Sequence, residues 1–173
     1  MSHPKLIEYA RLILEIGVNL QPGQPLIITC PIEQAAFGRA LAAEGWARGA
    51  ADVNINWVDD DLTLMRYQHA PMETLELIPD WIIDRMRFYY ERNAAVISVH
   101  ASDPELLTDI EQSRIEAASK ASATATKPLA HYTMNDEVCW CVVSVPTSGW
   151  AGRVFPDLPT GEAVDKLWDA ILS

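Results

Sequence analysis

Acidic side chains come directly after two segments that read as strands, and their type and spacing could support metal chemistry. Asp59, Asp60 and Asp61 follow one strand, and the run 100–103, which begins with His100, follows another. Ligands of open α/β sheets bind beyond the carboxyl ends of the strands, and carboxylate oxygens suit Mg²⁺ and other hard cations. In the alternative interpretation, Asp60 or Asp61 caps a helix that begins at Leu62, and the remaining carboxylates are solvated.

The histidines and glycines offer few further sources of chemistry. The four histidines lie far apart in sequence, which favours structural roles, and His100 at a strand end is the best candidate for a ligand. The eight glycines form neither a dinucleotide-binding nor a P-loop motif, and the sequence has neither H-E-x-x-H nor G-x-S-x-G. The sequence therefore contains no recognisable self-contained catalytic site, and we assign no catalytic, cofactor-binding or metal-binding residue.

The three cysteines include no C-x-x-C pair. Cys139 and Cys141 are two residues apart in a predicted strand, so they share one face and cannot bridge each other there. We expect all three cysteines to be small, buried and reduced residues. A thiol nucleophile or a metal ligand is the alternative interpretation.

Short apolar runs alternate with segments of helical periodicity along the whole chain. The predicted strands are Pro25–Cys30, Asp52–Val58, Ala94–Val99 and Val138–Val145. The predicted helices cover 6–17, 31–48, 62–69, 72–92, a stretch starting near Pro104, 111–127 and 161–173. Nearly continuous apolar strands separated by helices predict one α/β domain over 1–173, with a mostly parallel sheet covered by helices on both faces.

The composition excludes several classes of partner. With 13 Lys and Arg against 24 Asp and Glu, the net charge is −11, which disfavours nucleic acid and anionic membrane surfaces. The sequence shows neither a signal peptide nor an apolar run long enough to span a membrane, so we expect a cytoplasmic location. The six tryptophans suit protein interfaces, and we expect a partner domain to bury at least one.

Several segments, taken in order, resemble one enzyme family. They are 17–24 (GVNLQPGQ), 56–63 (NWVDDDLT), 66–71 (RYQHAP), 140–147 (WCVVSVPT), 154–157 (VFPD) and 162–171 (EAVDKLWDAI). Together they resemble the amino-terminal half of the M29 metallo-aminopeptidases, the aminopeptidase T, AmpS and PepS type. The resemblance runs from about Lys5 to Leu172.

The resemblance implies a cytoplasmic exopeptidase that removes N-terminal residues from short peptides with two divalent ions, Zn²⁺, Co²⁺ or Mn²⁺. Such a pair, roughly 3.5–4 Å apart, polarises the scissile carbonyl and lowers the pKa of a bridging water. The resemblance also implies a homodimer around an internal cavity. The family's ligands all lie in its carboxyl-terminal half, so we expect this chain to bind no metal and to be inactive alone.

Two other hypotheses remain open at the level of sequence. The chain could be a stand-alone α/β binding or assembly module that holds a small ligand with Asp59 and His100. Alternatively, Asp59, Asp60, Asp61 and His100 assemble an independent metal site. The final apolar stripe stops at Ser173 without a capping residue, as expected of a chain divided between domains, and we expect an exposed apolar patch where the missing part would sit.

Overall fold

A computed structural model describes residues 6–101 and 105–172 of the chain. The strands are β1 (Pro25–Pro31), β2 (Asp52–Val58), β3 (Ala95–His100) and β4 (Trp140–Ser144). The helices are α1 (Leu6–Leu12), α2 (Ala35–Ala47), α3 (Asp60–His69), α4 (Met72–Leu75), α5 (Asp80–Tyr90), α6 (Gln112–Thr126), α7 (Ala130–Met134), α8 (Ser148–Val154) and α9 (Thr160–Ile171). A π-helical turn (Ile13–Gly17) extends α1, and 3-10 turns occupy Ile32–Gln34 and Lys127–Leu129. Over these residues, no helix combines the length and apolar character needed to cross a membrane.

The four strands form one parallel sheet in the order β2-β1-β3-β4. The register places Ile28 of β1 opposite Ile55 of β2 and Ile97 of β3. This confirms the predicted α/β class and parallel sheet, and each predicted strand agrees with the observed one to within two residues. The chain order also creates a reversal point between β1 and β3, because β2 lies on one side of β1 and β3 on the other.

One face of the sheet, here called the inner face, carries the main core. Every second strand residue points into it, including Leu26, Ile28 and Cys30 of β1, which are all fully buried. Helix α1 with its π-helical turn, α2 and α9 cover this face and contribute Leu14, Phe37 and Trp168, respectively, to the same cluster. The nearly continuous apolar character of β1 follows from this cover and from the helix on its other face.

Helix α2 lies close to the sheet at two glycines, which are about two helical turns apart. A Cβ atom added at Gly45 would lie 2.6 Å from Cδ2 of the fully buried Leu26, and one added at Gly38 would lie 2.9 Å from the Trp57 ring. Neither glycine is needed for a positive φ, so their function is to allow close packing of α2 on β1 and β2.

We predict that Gly45→Ala destabilises the protein although alanine is the better helix former. The added methyl group overlaps the fully buried Leu26 side chain, and overpacking of this kind costs about 1–3 kcal/mol. The matched control is Gly152→Ala in α8, where nothing lies within 4 Å of the added Cβ and the free energy of unfolding should rise by about 0.5–1 kcal/mol. Urea unfolding of both variants checks this, and equal signs would contradict it.

The opposite, outer face is covered mainly by α5, which is fixed to β2 by polar contacts. The Tyr89 hydroxyl donates to the Asp52 carboxylate at 3.0 Å, and the Arg85 guanidinium donates to Asn54 Oδ1. Burial, and secondly the bond to Asp52, raises the pKa of Tyr89. These contacts explain why β2 carries polar residues on its outer face.

Two predicted helices differ from the observed ones. The stretch 72–92 is not one helix, because it divides into α4 and α5 at Pro79, whose ring cannot continue the preceding helix. Residues 105–110 form turns in place of the helix expected near Pro104, and Pro104 itself lies outside the described residues. The apolar stripe of the last helix is confirmed: Leu167 and Trp168 are buried, the first against α8 and the second in the main core.

Candidate functional site

A cavity of about 360 Å³ lies at the carboxyl ends of the strands, beside the reversal point between β1 and β3. Its wall contains Glu33 and Gln34 after β1, Asp60 after β2, Ala101 after β3 and the segment 146–149 after β4. Ligands of open α/β sheets bind at this position. Asp60, one of the strand-end residues considered from the sequence, lies at this edge of the sheet.

Two hydrogen bonds shape the cavity wall. The Gln34 side chain donates from Nε2 to the Pro146 carbonyl at 2.9 Å, which joins the loop after β1 to the loop after β4. Thr147 caps α8, since its Oγ1 accepts from the Trp150 amide at 3.1 Å. Glu33 and Gln34 were missed by the sequence analysis, although their position directly after the predicted β1 strand was the signal that could have identified them.

The Asp59–Asp61 run is divided between a structural role and the cavity. Helix α3 begins at Asp60, and Asp59 is its cap, with Oδ1 accepting from the Leu62 amide at 3.0 Å. The capping interpretation was thus correct in kind, but the capping residue is Asp59 and not Asp60 or Asp61. Asp60 lines the strand-end cavity, and both acidic first-turn residues lie favourably at the positive end of α3.

The charged groups that line this cavity are the carboxylates of Glu33 and Asp60, so the cavity can attract a cation. A protein-held metal ion needs more ligands than this. Within residues 6–101 and 105–172, no group of three or more His, Cys, Asp or Glu side chains could hold a metal ion. The metal pair implied by the family resemblance does not fit the described residues, and the hypothesis of an independent site built by Asp59, Asp60, Asp61 and His100 gains no support there.

The histidines lie at separate positions. His100 is the exposed last residue of β3, and its backbone carbonyl accepts from the Val145 amide at 3.2 Å. His69 ends α3 as predicted, and the ring Nδ1 of His131 lies 3.0 Å from the Pro128 carbonyl. His3 lies outside the described residues.

The cysteines occupy three different environments, which corrects the expectation that all are buried. Cys30 is fully buried under α2, Cys141 is partly buried in β4, and Cys139 precedes β4 and is exposed. Burial raises the pKa of the Cys30 thiol to about 11, with a smaller contribution from Glu33 and an opposing hydrogen bond from the Gly38 backbone. Since the thiolate is the nucleophile, Cys30 is unsuited to nucleophilic catalysis near neutral pH.

We predict that a thiol reagent at pH 8 labels Cys139 rapidly in the folded chain and leaves Cys30 unlabelled. Raising the pH to 10 should not expose Cys30 to reaction, because its pKa of about 11 keeps most of the thiol protonated and the side chain is buried. Mass spectrometry of the labelled peptides checks this. Cys139→Ser should remove the fast reaction and Cys30→Ser should preserve it, and labelling of native Cys30 at pH 8 would contradict the assignment.

Comparison with known proteins gives consistent matches over almost the whole chain. The family described as thermophilic metalloprotease (M29) matches residues 2–173. Aminopeptidase 2 of Geobacillus stearothermophilus is 41% identical over 167 residues, which cover 96% of this chain and 40% of that protein. Aminopeptidase T of Thermus thermophilus is 36% identical over 166 residues, which cover 96% of this chain and 41% of the relative.

The fold agrees with a solved structure of that group. Wild-type AmpT from Thermus thermophilus superposes with a TM-score of 0.89 at 36% identity, covering 96% of this chain and 42% of the other. The chain thus spans about 40% of the length of the curated relatives it matches, and the match is to their amino-terminal part.

Proposed function

Because this chain belongs to the M29 family of thermophilic metalloproteases, we propose that it forms the amino-terminal part of a metal-dependent aminopeptidase that removes N-terminal residues from short peptides. The observation that carries the proposal is the 41% identity with Aminopeptidase 2 over 96% of this chain. The fold supports it, since the same α/β arrangement occurs in AmpT with a TM-score of 0.89.

In this proposal the chain supplies structure around the substrate cavity and the dimer, and the metal ligands come from the remaining 60% of the enzyme. Two observations support this division. The family is one of metalloproteases, and within the described residues no group of three or more His, Cys, Asp or Glu side chains could hold a metal ion. The metals would be Zn²⁺, Co²⁺ or Mn²⁺. We also propose a cytoplasmic homodimer, a location supported by three cysteines that form no disulfide bond.

A hybrid enzyme tests the proposal. This chain replaces the corresponding 40% of Geobacillus stearothermophilus Aminopeptidase 2, and hydrolysis of leucine p-nitroanilide is measured with added Co²⁺, Zn²⁺ or Mn²⁺. We expect the hybrid to hydrolyse the substrate in a metal-dependent way, and the relative's remaining segment alone to be much less active. A folded, metal-loaded hybrid no more active than that segment would refute the proposal.

The outer face of β4 is where we expect the rest of the enzyme to pack. Trp140 and Val142 are 50% and 51% exposed there, and β4 pairs only with β3 among the described strands. Exposed apolar side chains on a sheet face are typical of an interface. This is the location we propose for the apolar patch expected from the sequence.

We predict that a hydrophobic dye binds the chain at this patch. The double variant Trp140→Ser and Val142→Thr should lower dye fluorescence by at least about half, because it removes the contiguous apolar surface. Ile16→Thr is the control, since Ile16 is more exposed but lies on the π-helical turn beside α1. A larger decrease for the control than for the double variant would locate the patch elsewhere.

A further inference from the structure

A second cavity of about 360 Å³ lies on the outer face of the sheet, between the sheet and α5. It is separate in its lining residues from the strand-end cavity described above. Its volume is at the lower end of the range of small-molecule sites, roughly 300–1,000 Å³. Helix α5 forms one wall with a single face, since its lining residues recur at helical spacing from Trp81 to Tyr90.

The floor of this cavity is a row of polar side chains across three neighbouring strands. Thr29 of β1 lies opposite Asn56 of β2 and opposite Ser98 of β3, and all three line the cavity. All three side chains are half-buried, and in the described part of the chain none of them has a side-chain hydrogen bond to another residue. The row therefore offers hydroxyl and amide groups to a ligand.

Arg85 is the charged residue in the lining, and no carboxylate lines the cavity. Its guanidinium makes one hydrogen bond within the described residues, to Asn54 of β2, which orients it and leaves further N–H groups for another acceptor. The net charge of the chain is −11, so Arg85 is a positively charged group in an acidic protein, and it lines a cavity. It fits an anion, and a planar carboxylate matches the guanidinium fork.

The remaining walls are apolar and aromatic. Trp81, Met86 and Tyr90 from α5 face Ile27 and Val96 from the sheet. Tyr90 is half-buried, and this burial raises the pKa of its hydroxyl. A ligand here would bury an aromatic or branched aliphatic body.

From this arrangement we propose that the outer-face cavity binds a small organic carboxylate with an aromatic or branched apolar body. The carboxylate accepts hydrogen bonds from Arg85, and the row of Thr29, Asn56 and Ser98 hydrogen-bonds the polar end of the ligand. The apolar body lies between Trp81 and Tyr90. This site is independent of the aminopeptidase proposal, because neither the metal ligands nor the strand-end cavity takes part in it.

Titration calorimetry of the chain with 3-phenylpropionate is the first test. We expect saturable binding, and binding at least tenfold weaker for 3-phenylpropanamide, which has the same shape without the charge. The amide comparison uses the unmodified chain, so it does not depend on the folding of any variant. Absence of saturable binding, or equal affinity for the acid and the amide, would overturn the proposal.

Three variants locate the site. Arg85→Gln should weaken binding of 3-phenylpropionate at least tenfold, and Ser98→Ala should weaken it several-fold by removing one floor hydroxyl. Arg87→Gln is the matched control on the same helix, because Arg87 pairs with Asp84 at 2.6 Å and does not line the cavity. Because Arg85 also donates a hydrogen bond to Asn54, the melting temperature of each variant is measured alongside its titration. If Arg85→Gln does not fold, the affinity of Ser98→Ala decides whether the cavity is the binding site. Weakening by Arg87→Gln equal to that of a folded cavity variant would overturn the assignment.

Discussion

This chain, incubated with Co²⁺, Zn²⁺ or Mn²⁺, is expected to release no p-nitroaniline from leucine p-nitroanilide above the buffer control. Amide hydrolysis at neutral pH needs an activated nucleophile and stabilisation of the developing oxyanion, which a metal pair supplies in metallopeptidases. Within residues 6–101 and 105–172 there is no group of three or more metal-ligating side chains, and the raised pKa of Cys30 keeps its thiol neutral. The expected rate is at least about 10⁴-fold below that of the hybrid enzyme.

The control for this prediction is the hybrid, which contains the same 173 residues joined to the rest of Aminopeptidase 2. Activity in the hybrid and not in the chain would assign the metal chemistry to the remaining part of the enzyme. Metal analysis after dialysis adds a second readout, with well under one ion per chain expected. Metal-dependent hydrolysis by the purified chain, removed by Asp60→Asn or His100→Gln, would show instead that the strand-end residues form a metal site.

The strands were predictable because their apolar character is set by local burial on both faces. Residues such as Ile28 and Ile97 lie in the middle of short β-branched runs, and the structure places them opposite each other in neighbouring strands. The parallel arrangement also followed, since helical segments separate consecutive strands. The order β2-β1-β3-β4 did not, because it depends on which side of β1 each crossover packs, and no local pattern records that choice.

The outer face of β2 was not predictable from periodicity. Asp52, Asn54 and Asn56 alternate with apolar residues along β2, yet the first two contact Tyr89 and Arg85 of α5, more than thirty residues further along the chain. The significance of Asn56 depends on its register with Thr29, which only the folded sheet reveals. Binding sites that are assembled across strands are therefore less visible in a sequence than sites on one helix.

The candidate strand-end site was predictable in position and less so in composition. The rule that ligands bind beyond the carboxyl ends of strands pointed to the Asp59–Asp61 run, of which Asp60 lines the strand-end cavity. It did not separate Asp59, whose carboxylate is used to cap α3, from Asp60, because either could begin the helix. That distinction depends on where the first helical turn starts, a boundary that sequence patterns locate only to within a few residues.

Phe37→Ala is expected to lower the free energy of unfolding by about 3–5 kcal/mol, as large-to-small substitutions of buried aromatic residues do. Phe37 is 1% exposed and stacks on Tyr9 of α1 with ring centroids 5.6 Å apart. It also meets the Trp168 ring of α9 edge-on at 6.3 Å, so one side chain joins the three helices of the inner face. For a domain of this size the melting temperature should fall by roughly 10 °C or more.

Phe88→Ala in α5 is the matched control, because Phe88 is 48% exposed and contacts Tyr89 and Arg92 at the surface. It should cost less than about 1 kcal/mol, since little apolar area returns to water. Near-ultraviolet circular dichroism adds a readout of the Trp168 environment, which should change in Phe37→Ala and not in Phe88→Ala. Equal losses of stability in the two variants would mean that α9 is not held to the core through Phe37, and that its Leu167 contacts with α8 hold it instead.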